Sequence, residues 1–330
     1  MTRIGINPAR GKVSHYQPAA VTVAILTYIP HLGGYFRHKF DVLRLVFTSI
    51  KANTAVEHDL LVFDNGSCKT VIDYLQALKQ NGHIDYLILS SRNLGKIGAF
   101  KVLFNAAPGE IVAYADDDIL FYPGWLKAAL EVMETYPKVG MISCIPVRDN
   151  ATRARKSLQA WIETQVEGLT ILQDRDIPDN WESDWAVSTG RDPQEHLQKL
   201  KDQPDLFLNL NGIEAYGSAS HFQFVAPKMV ILRSLPTDWS GKLMGSMVEL
   251  DEAVDAQGYL RLSTVERFVR HIGNTLSDEM VREANNLGLQ VDSLIKPHWA
   301  NRNWLLRIPG SGRIFRAIYD WLFSVLQGGN

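Results

Sequence analysis

The chain has 330 residues, 46% of them hydrophobic and 21% charged, a balance that supports one large or two modest folded domains with a sizeable core. Lys and Arg number 34 against 36 Asp and Glu, and this near-neutral balance argues against a dedicated nucleic-acid binder, so any anionic ligand has to be held locally. Two cysteines, Cys68 and Cys144, stand without CxxC spacing and argue against a disulfide framework or a structural zinc site. The N-terminal residues are polar and no long apolar run occurs, so neither a secretion signal nor a spanning helix is expected and a cytoplasmic location follows.

In chain order, Val21 to Thr27 is rich in β-branched residues and reads as a strand. Asp41 to Lys51, apolar at Val42, Leu43, Leu45, Val46 and Ile50, reads as an amphipathic helix. A second strand, Asp59 to Phe63, runs into the turn-forming cluster Asp64-Asn65-Gly66-Ser67 ahead of a helical stretch from Lys69 to Asn81. Tyr86 to Leu89 is a third strand, Ile97 to Ala107 a third helix and Ile111 to Ala115 a fourth strand. Repeated βα units with such apolar strands predict a parallel sheet covered by helices. Ligands of open sheets bind beyond the carboxyl ends of the strands. Those ends carry Thr27-Tyr28, Asp64 to Ser67, Ser90 to Gly95 and Asp116 to Asp118, so the polar signals converge on one edge.

Three consecutive aspartates, Asp116, Asp117 and Asp118, close the fourth strand. Side chains two apart on an extended chain point to the same side, so Asp116 and Asp118 can both reach one divalent ion while Asp117 faces elsewhere. A helix cap would account for one aspartate and leaves the other two unexplained. Asp64 can accept an N–H from a nucleobase or hold its own loop by an Asx turn, and Gly66 allows close backbone approach. Asn93 and Gly95 have the same two readings, and the charge of Lys96 meets either phosphate or solvent.

Taken together, Thr27-Tyr28, Asp64 to Ser67, Asn93-Leu94-Gly95 with Asn105 further on, and Asp116 to Asp118 resemble the nucleotide-sugar domain of family 2 glycosyltransferases with the GT-A fold. Downstream, Glu249-Leu250-Asp251-Glu252, Gly258-Tyr259 and His271-Ile272-Gly273-Asn274 resemble that family's second acidic motif, its Gly-Tyr strand entry and its late histidine. The resemblance implies a GT-A-like open, mostly parallel sheet flanked by helices, with a Rossmann-like nucleotide half, an acceptor half and a C-terminal helical extension. Its implied boundaries are an N-terminal extension over 1–20, a domain over 21–274 divided at 149/150 with an insertion over 150–211, and a tail over 275–330.

For activity the resemblance implies transfer, with inversion, from a nucleotide-diphosphate sugar, most simply a UDP-sugar, to a glycan or lipid-linked acceptor. Thr27, Tyr28, Asp64, Asn93, Gly95, Lys96, Asp116 and Asp117 would line the donor. Asp116, Asp118 and His271 would hold Mn2+ or Mg2+, hard cations suited to carboxylate oxygens. The base that takes the proton of the acceptor hydroxyl would come from the second acidic motif, with Asp251 preferred, then Glu249, and Glu252 also a choice. That motif departs from the commoner Glu-Asp form and lacks the usual Arg a turn or two later, and by itself it also reads as the acidic face of a surface helix. A nucleotidyltransferase-like or sugar-nucleotide-binding protein could use the same aspartates without glycosyl transfer.

Three further segments carry expectations. Trp161, Trp181 and Trp185 in the insertion either stack on sugar rings or anchor a core. His221 and Gln223, two apart on strand-like sequence, would share a polar wall on the acceptor side. The tail combines Ile314, Phe315, Ile318, Trp321, Leu322 and Val325 with Arg302, Arg307, Arg313 and Arg316, a pattern that either lies in a membrane interface at the inner face of the membrane or packs on the domain.

Overall fold

The structure, a computed structural model, describes residues 5–12, 16–148, 151–237 and 247–289. The expected interfacial tail helix around Ile314 to Val325 lies outside the described residues. Among the described residues no helix is long and apolar enough to cross a membrane.

The chain opens as the apolar runs demand. Strand β1 (Val21–Thr27) is followed by a short 3-10 turn at Gly34–Phe36 and helix α1 (Lys39–Asn53). Then come β2 (Asp59–Asp64), α2 (Lys69–Gln80), β3 (Tyr86–Leu89), α3 (Gly95–Ala106) and β4 (Ile111–Asp116). β1 pairs in parallel with both β2 and β4, and β2 in parallel with β3. β1 and β2 are buried along their whole length, as strands covered on both faces must be.

After β4 the rhythm changes. A short β5 (Ile119–Phe121) leads into α4 (Trp125–Thr135), β6 (Val139–Ser143) and α5 (Lys156–Glu163). The insertion continues with β7 (Leu169–Asp174), α6 (Asp179–Ser188), α7 (Pro193–Lys199) and β8 (Asp205–Leu210). β9 (Ile213–Tyr216), β10 (Gln223–Pro227), α8 (Lys228–Ser234), α9 (Met247–Ala256), β11 (Leu260–Ser263), β12 (Val269–His271) and α10 (Asp278–Asn286) complete the described chain.

Ten strands form one sheet in the order β3-β2-β1-β4-β10-β6-β11-β9-β8-β7, and β12 pairs with β5 in a separate two-stranded sheet. β10 enters antiparallel to β4 and β6, β11 runs parallel to β6, and β7 to β9 form an antiparallel meander at the edge. The expected open, mostly parallel sheet therefore holds for β1 to β4, and the sheet becomes mixed beyond β4. One face is covered by α3, α8 and α9: Phe100, Leu103 and Phe104 meet Tyr114, Phe224, Ile231, Leu250 and Val254 in one apolar cluster. Burial of each such side chain stabilises by about 1.5–3 kcal/mol, enough for the cluster to set the register of the strands beneath it.

Candidate functional site

The carboxyl ends of β1, β2 and β4 meet at one edge. Register fixes the neighbours: Thr27 lies beside Asp64 and Leu26 beside Asp116, so Asp64 and Asp116 flank the end of β1 at roughly two strand spacings, about 10 Å.

Asp64 is fully buried, and its Oδ2 accepts from Gly66 N at 3.2 Å and Ser67 N at 3.0 Å, an Asx turn. Its Oδ1 is buried and has no hydrogen-bond partner among the described residues. Burial pushes this carboxyl above its usual range, against the hydrogen bonds from Ser67 and Gly66, with the negative charge of Asp117 adding to the rise. Gly66 sits at φ +92°, and a Cβ there would come within 2.9 Å of the Arg92 backbone, so only glycine lets the two loops touch. Asn65 ties those loops together: its Nδ2 donates to Asn93 Oδ1 at 3.0 Å and its Oδ1 accepts from Leu94 N at 2.8 Å. Asn93 Oδ1 also accepts from Gly95 N at 2.7 Å. The side chain of Asn93 is thus spent on shaping the loop. Asn105 lies in the last turn of α3 and bonds Lys101 O, a helix length away from the edge that α3 presents at Gly95.

The aspartate run differs from the extended-chain expectation. β4 ends at Asp116, and Asp117 and Asp118 form a turn before β5, so the alternation of side chains stops where the cluster begins. Asp116 and Asp118 consequently face different cations. Asp116 Oδ2 pairs with Lys96 Nζ at 2.7 Å, and its Oδ1 accepts from the Tyr114 hydroxyl. Asp118 Oδ2 pairs with Lys39 Nζ at 2.7 Å. Asp117 divides its oxygens, Oδ1 to Lys39 at 2.9 Å and Oδ2 to Thr27 Oγ1 at 2.6 Å and Tyr28 N at 3.2 Å, so it latches the end of β1. Thr27 and Tyr28 act here through that latch.

His271 reaches the cluster through the small sheet. β12 pairs His271 with Ile119, and Ile272 N donates to Asp118 O at 2.8 Å. His271 Nδ1 lies 2.8 Å from Ser188 Oγ and Nε2 lies 3.6 Å from Asp118 Oδ1. Gly273, at φ +80°, lets the chain pass the Ser188 carbonyl, which a Cβ would approach to 2.5 Å. Asp118 Oδ1 is buried without a hydrogen-bond partner among the described residues. Burial alone would raise the Asp118 carboxyl, but the charge of Lys39 foremost, then that of His271, holds it below the usual range. Reciprocally, burial would lower the Lys39 ammonium, and Asp117 and Asp118 hold it above its ordinary range.

Lys39 is the site residue that the sequence reading missed. Read at the start of a helix, a lysine looks solvated, and nothing local places it beneath a turn almost eighty positions later.

The fit for a divalent ion can be tested on these groups. Among the described residues no three His, Cys, Asp or Glu side chains are grouped as a metal cage. Two donors are nevertheless available, Asp118 Oδ1 and the outward nitrogen of His271, the first an unsatisfied carboxylate oxygen and the second oriented by Ser188. Mn2+ and Mg2+ commonly complete such sparse protein sites with phosphate and water oxygens. The residues present therefore fit such an ion. Asp116 is held instead by Lys96 and Tyr114.

Profile comparison matches residues 35–190 to glycosyl transferase family 2. The matched segment, just under half of the chain, is similar to that family. It contains Lys39, Asp64, Lys96 and the three aspartates, whereas Asp251 and His271 lie beyond the match. An uncharacterised glycosyltransferase of Nostoc sp. is 29% identical over 107 residues, 32% of this chain and 33% of its own length, so the chain matches about a third of that relative. Solved structures similar to the chain include Staphylococcus aureus TarS with UDP-GlcNAc (18% identity, 39% of this chain and 35% of that one, TM-score 0.32). A mannosyltransferase from Pyrobaculum calidifontis with GDP-Man and Mn2+ is 16% identical over 76% of this chain and 55% of that one, TM-score 0.40. GalNAc-T7 with UDP, GalNAc and Mn2+ is 13% identical over 82% of this chain and 47% of that one, TM-score 0.47.

Beyond the family 2 match, the second acidic motif lies on α9. Asp251 is buried at 2% exposure, with Oδ2 3.0 Å from His221 Nδ1 and Oδ1 2.8 Å from Arg261 Nη2. Glu249 and Glu252 are exposed. Gln223 does not join His221 in a polar wall: it is fully buried in β10, and its Oε1 accepts from Cys144 N at 2.7 Å. The shared face is lost because β10 starts at Gln223 while His221 and Phe222 form a turn. Among the tryptophans, Trp185 is buried in the insertion against the His196 ring (centroids 5.3 Å) and under Arg191 (4.4 Å), an anchor. Trp181 lies under Arg267 at 5.3 Å, and Trp161 against Tyr136 at 5.8 Å.

Proposed function

We propose that this protein is a glycosyltransferase that takes a sugar from a nucleotide-diphosphate donor, a UDP-sugar first, with Mn2+ or Mg2+, and passes it with inversion to a glycan or lipid-linked acceptor. The observation that carries this reading is that two unsatisfied buried carboxylate oxygens, Asp64 Oδ1 on the last residue of β2 and Asp118 Oδ1 on the turn after β4, stand at the ends of the two strands that flank β1. A buried acceptor without a partner costs about 1–3 kcal/mol, and a ligand N–H at Asp64 and a cation at Asp118 would remove both penalties at once. The match to glycosyl transferase family 2, which spans both residues, supports a sugar nucleotide as that ligand.

In this reading Asp64 accepts from the nucleobase, and the loop clamped by Asn65 and Asn93 shapes its pocket. Lys39 and Lys96, each already paired with an aspartate, lie where a diphosphate would recruit them as counter-charges. Asp118 and His271 would hold the divalent ion, which when bound neutralises charge on the departing diphosphate. The acceptor side belongs to the neighbourhood of Asp251. The proposed limits of the domain remain 21–274 with an insertion over 150–211.

Thermal denaturation of the full chain with UDP, GDP and their sugars, with and without Mn2+, tests the reading, because a ligand that binds only the folded state raises Tm with occupancy. A nucleotide should raise Tm in the presence of Mn2+, and Asp118→Ala should remove the Mn2+-dependent part. No response to any nucleotide would sink the proposal.

A further inference from the structure

Asp251 is closed off from an acceptor by burial and its ion pair, although its Oδ1 accepts no hydrogen bond among the described residues. It is buried, one oxygen faces Arg261 and the other His221, so an incoming hydroxyl has no route to it. Glu249 is two residues away on the same helix, about 200° around its axis, and exposed, so it points away from the group that Asp251 touches.

The arrangement around Asp251 is built to present His221. Arg261 enters from β11, is almost fully buried, and donates from Nη2 to Ala219 O at 2.6 Å while holding Asp251. Burial draws its guanidinium below the usual range, and Asp251 and Asp255 act against that. Asp251 in turn holds His221 Nδ1, which fixes the ring and places the proton on Nδ1, leaving the Nε2 lone pair at the far end. Among the described residues Nε2 has no hydrogen-bond partner, and the side chain keeps 24% of its surface exposed. A paired and shielded Nδ1 with an unengaged Nε2 is the orientation of a proton acceptor.

The position fits as well. His221 precedes Phe222, whose carbonyl accepts from Asp116 N at 2.9 Å and whose ring packs on His271 at 5.2 Å between centroids. His221 therefore stands one residue from the aspartate edge, on the side of the sheet contributed by β10, away from the nucleobase loops of β2 and β3.

We propose that His221 is the proton acceptor of the transfer and that Asp251, held by Arg261, is its positioning residue. This deepens the transferase reading above and rests on it. The acceptor hydroxyl gives its proton to His221 Nε2, its oxygen forms a bond to the anomeric carbon with its lone pair, and the bond from that carbon to the β-phosphate oxygen breaks. The electron pair leaves on the nucleoside diphosphate, and the imidazolium, stabilised by Asp251, later returns the proton to solvent.

The test uses the full chain with water as acceptor. Nucleotide release is followed from UDP-glucose, UDP-galactose, UDP-GlcNAc, UDP-GalNAc and GDP-mannose with Mn2+, beside UDP binding by calorimetry. His221→Ala should slow release by about a hundredfold or more, in kcat, and leave UDP binding within about twofold. Added imidazole should restore part of the lost rate. Asp251→Asn should slow kcat in the same direction without changing UDP binding; if Asp251→Asn fails to fold, the His221→Ala measurements decide alone. Undiminished release by His221→Ala, a loss that imidazole leaves untouched, or a parallel loss of UDP binding each overturns the assignment. A wild-type chain that binds no nucleotide at all fails at the parent reading instead, and the inference falls with it.

Discussion

Lys39 Nζ lies 2.7 Å from Asp118 Oδ2, an ion pair with both side chains almost wholly buried, and the same nitrogen reaches Asp117 Oδ1 at 2.9 Å. One lysine thus bridges two carboxylates beneath the proposed diphosphate site and offsets the charge of only one of them. Removing one member of a buried pair leaves the other charge uncompensated, which typically costs about 3–5 kcal/mol. Lys39→Met should therefore lower stability by that amount in urea denaturation. Mn2+ should raise the Tm of this variant more than that of the wild-type chain, because a divalent ion can take over the carboxylates left without Lys39. An equal Mn2+ response in the two proteins would show that no cation enters this cluster.

The same pair sets a pH dependence. The Asp118 carboxyl is held below its ordinary range by Lys39 and His271 despite its burial. For an acid whose folded pKa is depressed, the stabilisation is complete above the unfolded value, about 4, and is lost as pH falls through the folded value. Asp64, raised by burial, contributes with the opposite sign: its ionised form is disfavoured in the folded chain, so it subtracts stability as pH rises through its raised value. Urea midpoints measured from about pH 6 to about pH 3 should fall more steeply for the wild-type chain than for Asp118→Asn. Parallel curves would remove Asp118 from the account.

Gly66 is the point where the two nucleotide-half loops touch. Alanine there would adopt a left-handed backbone at a cost of about 1–2 kcal/mol and would press against the Arg92 backbone. Gly66→Ala should lower Tm modestly and weaken UDP binding by at least about tenfold, since each 1.4 kcal/mol of loop distortion is a factor of ten. Unchanged binding calorimetry would show that the Asp64 loop does not line the nucleotide.

The insertion depends on a second buried pair. Arg148, fully buried, is gripped by Asp205 at 2.7 Å and 2.8 Å, and Asp205 Oδ2 also accepts from Asp176 N and Ile177 N. Asp205→Ala should cost about 3–5 kcal/mol, concentrated in the β7–β8 meander. Hydrogen exchange should accelerate over 169–210 and stay unchanged over 21–116. Uniform acceleration would mean that the insertion and the nucleotide half unfold as one unit.

The nucleotide half was largely legible in the chain. Each of its strands is an apolar run, that of β1 rich in β-branched residues, each run ends in polar residues, and the rule that ligands gather at carboxyl ends needs no coordinates. The insertion was not, because its β7–β9 meander is held by Arg148, Asp205 and Tyr136 contacts between residues far apart in sequence. Trp185 shows the same limit: its composition suggested sugar stacking as readily as anchoring, and only its burial against His196 and Arg191 separates the two.

Local sequence determined where carboxylates collect: Asp64 at the end of β2, Asp116 to Asp118 at and just past the end of β4 and Asp251 on α9 are properties of strand ends and helix periodicity. What each carboxylate faces was decided by tertiary structure. The turn at Asp117 and Asp118 cancels the alternation that would have aimed Asp116 and Asp118 together, and Lys39 and His271 arrive at Asp118 from opposite ends of the domain. Arg261 likewise closes on Asp251 from β11 and His221 from the turn before β10. The periodicity of a chain specifies direction only within one element, whereas charge partners are chosen by which elements the core packs side by side.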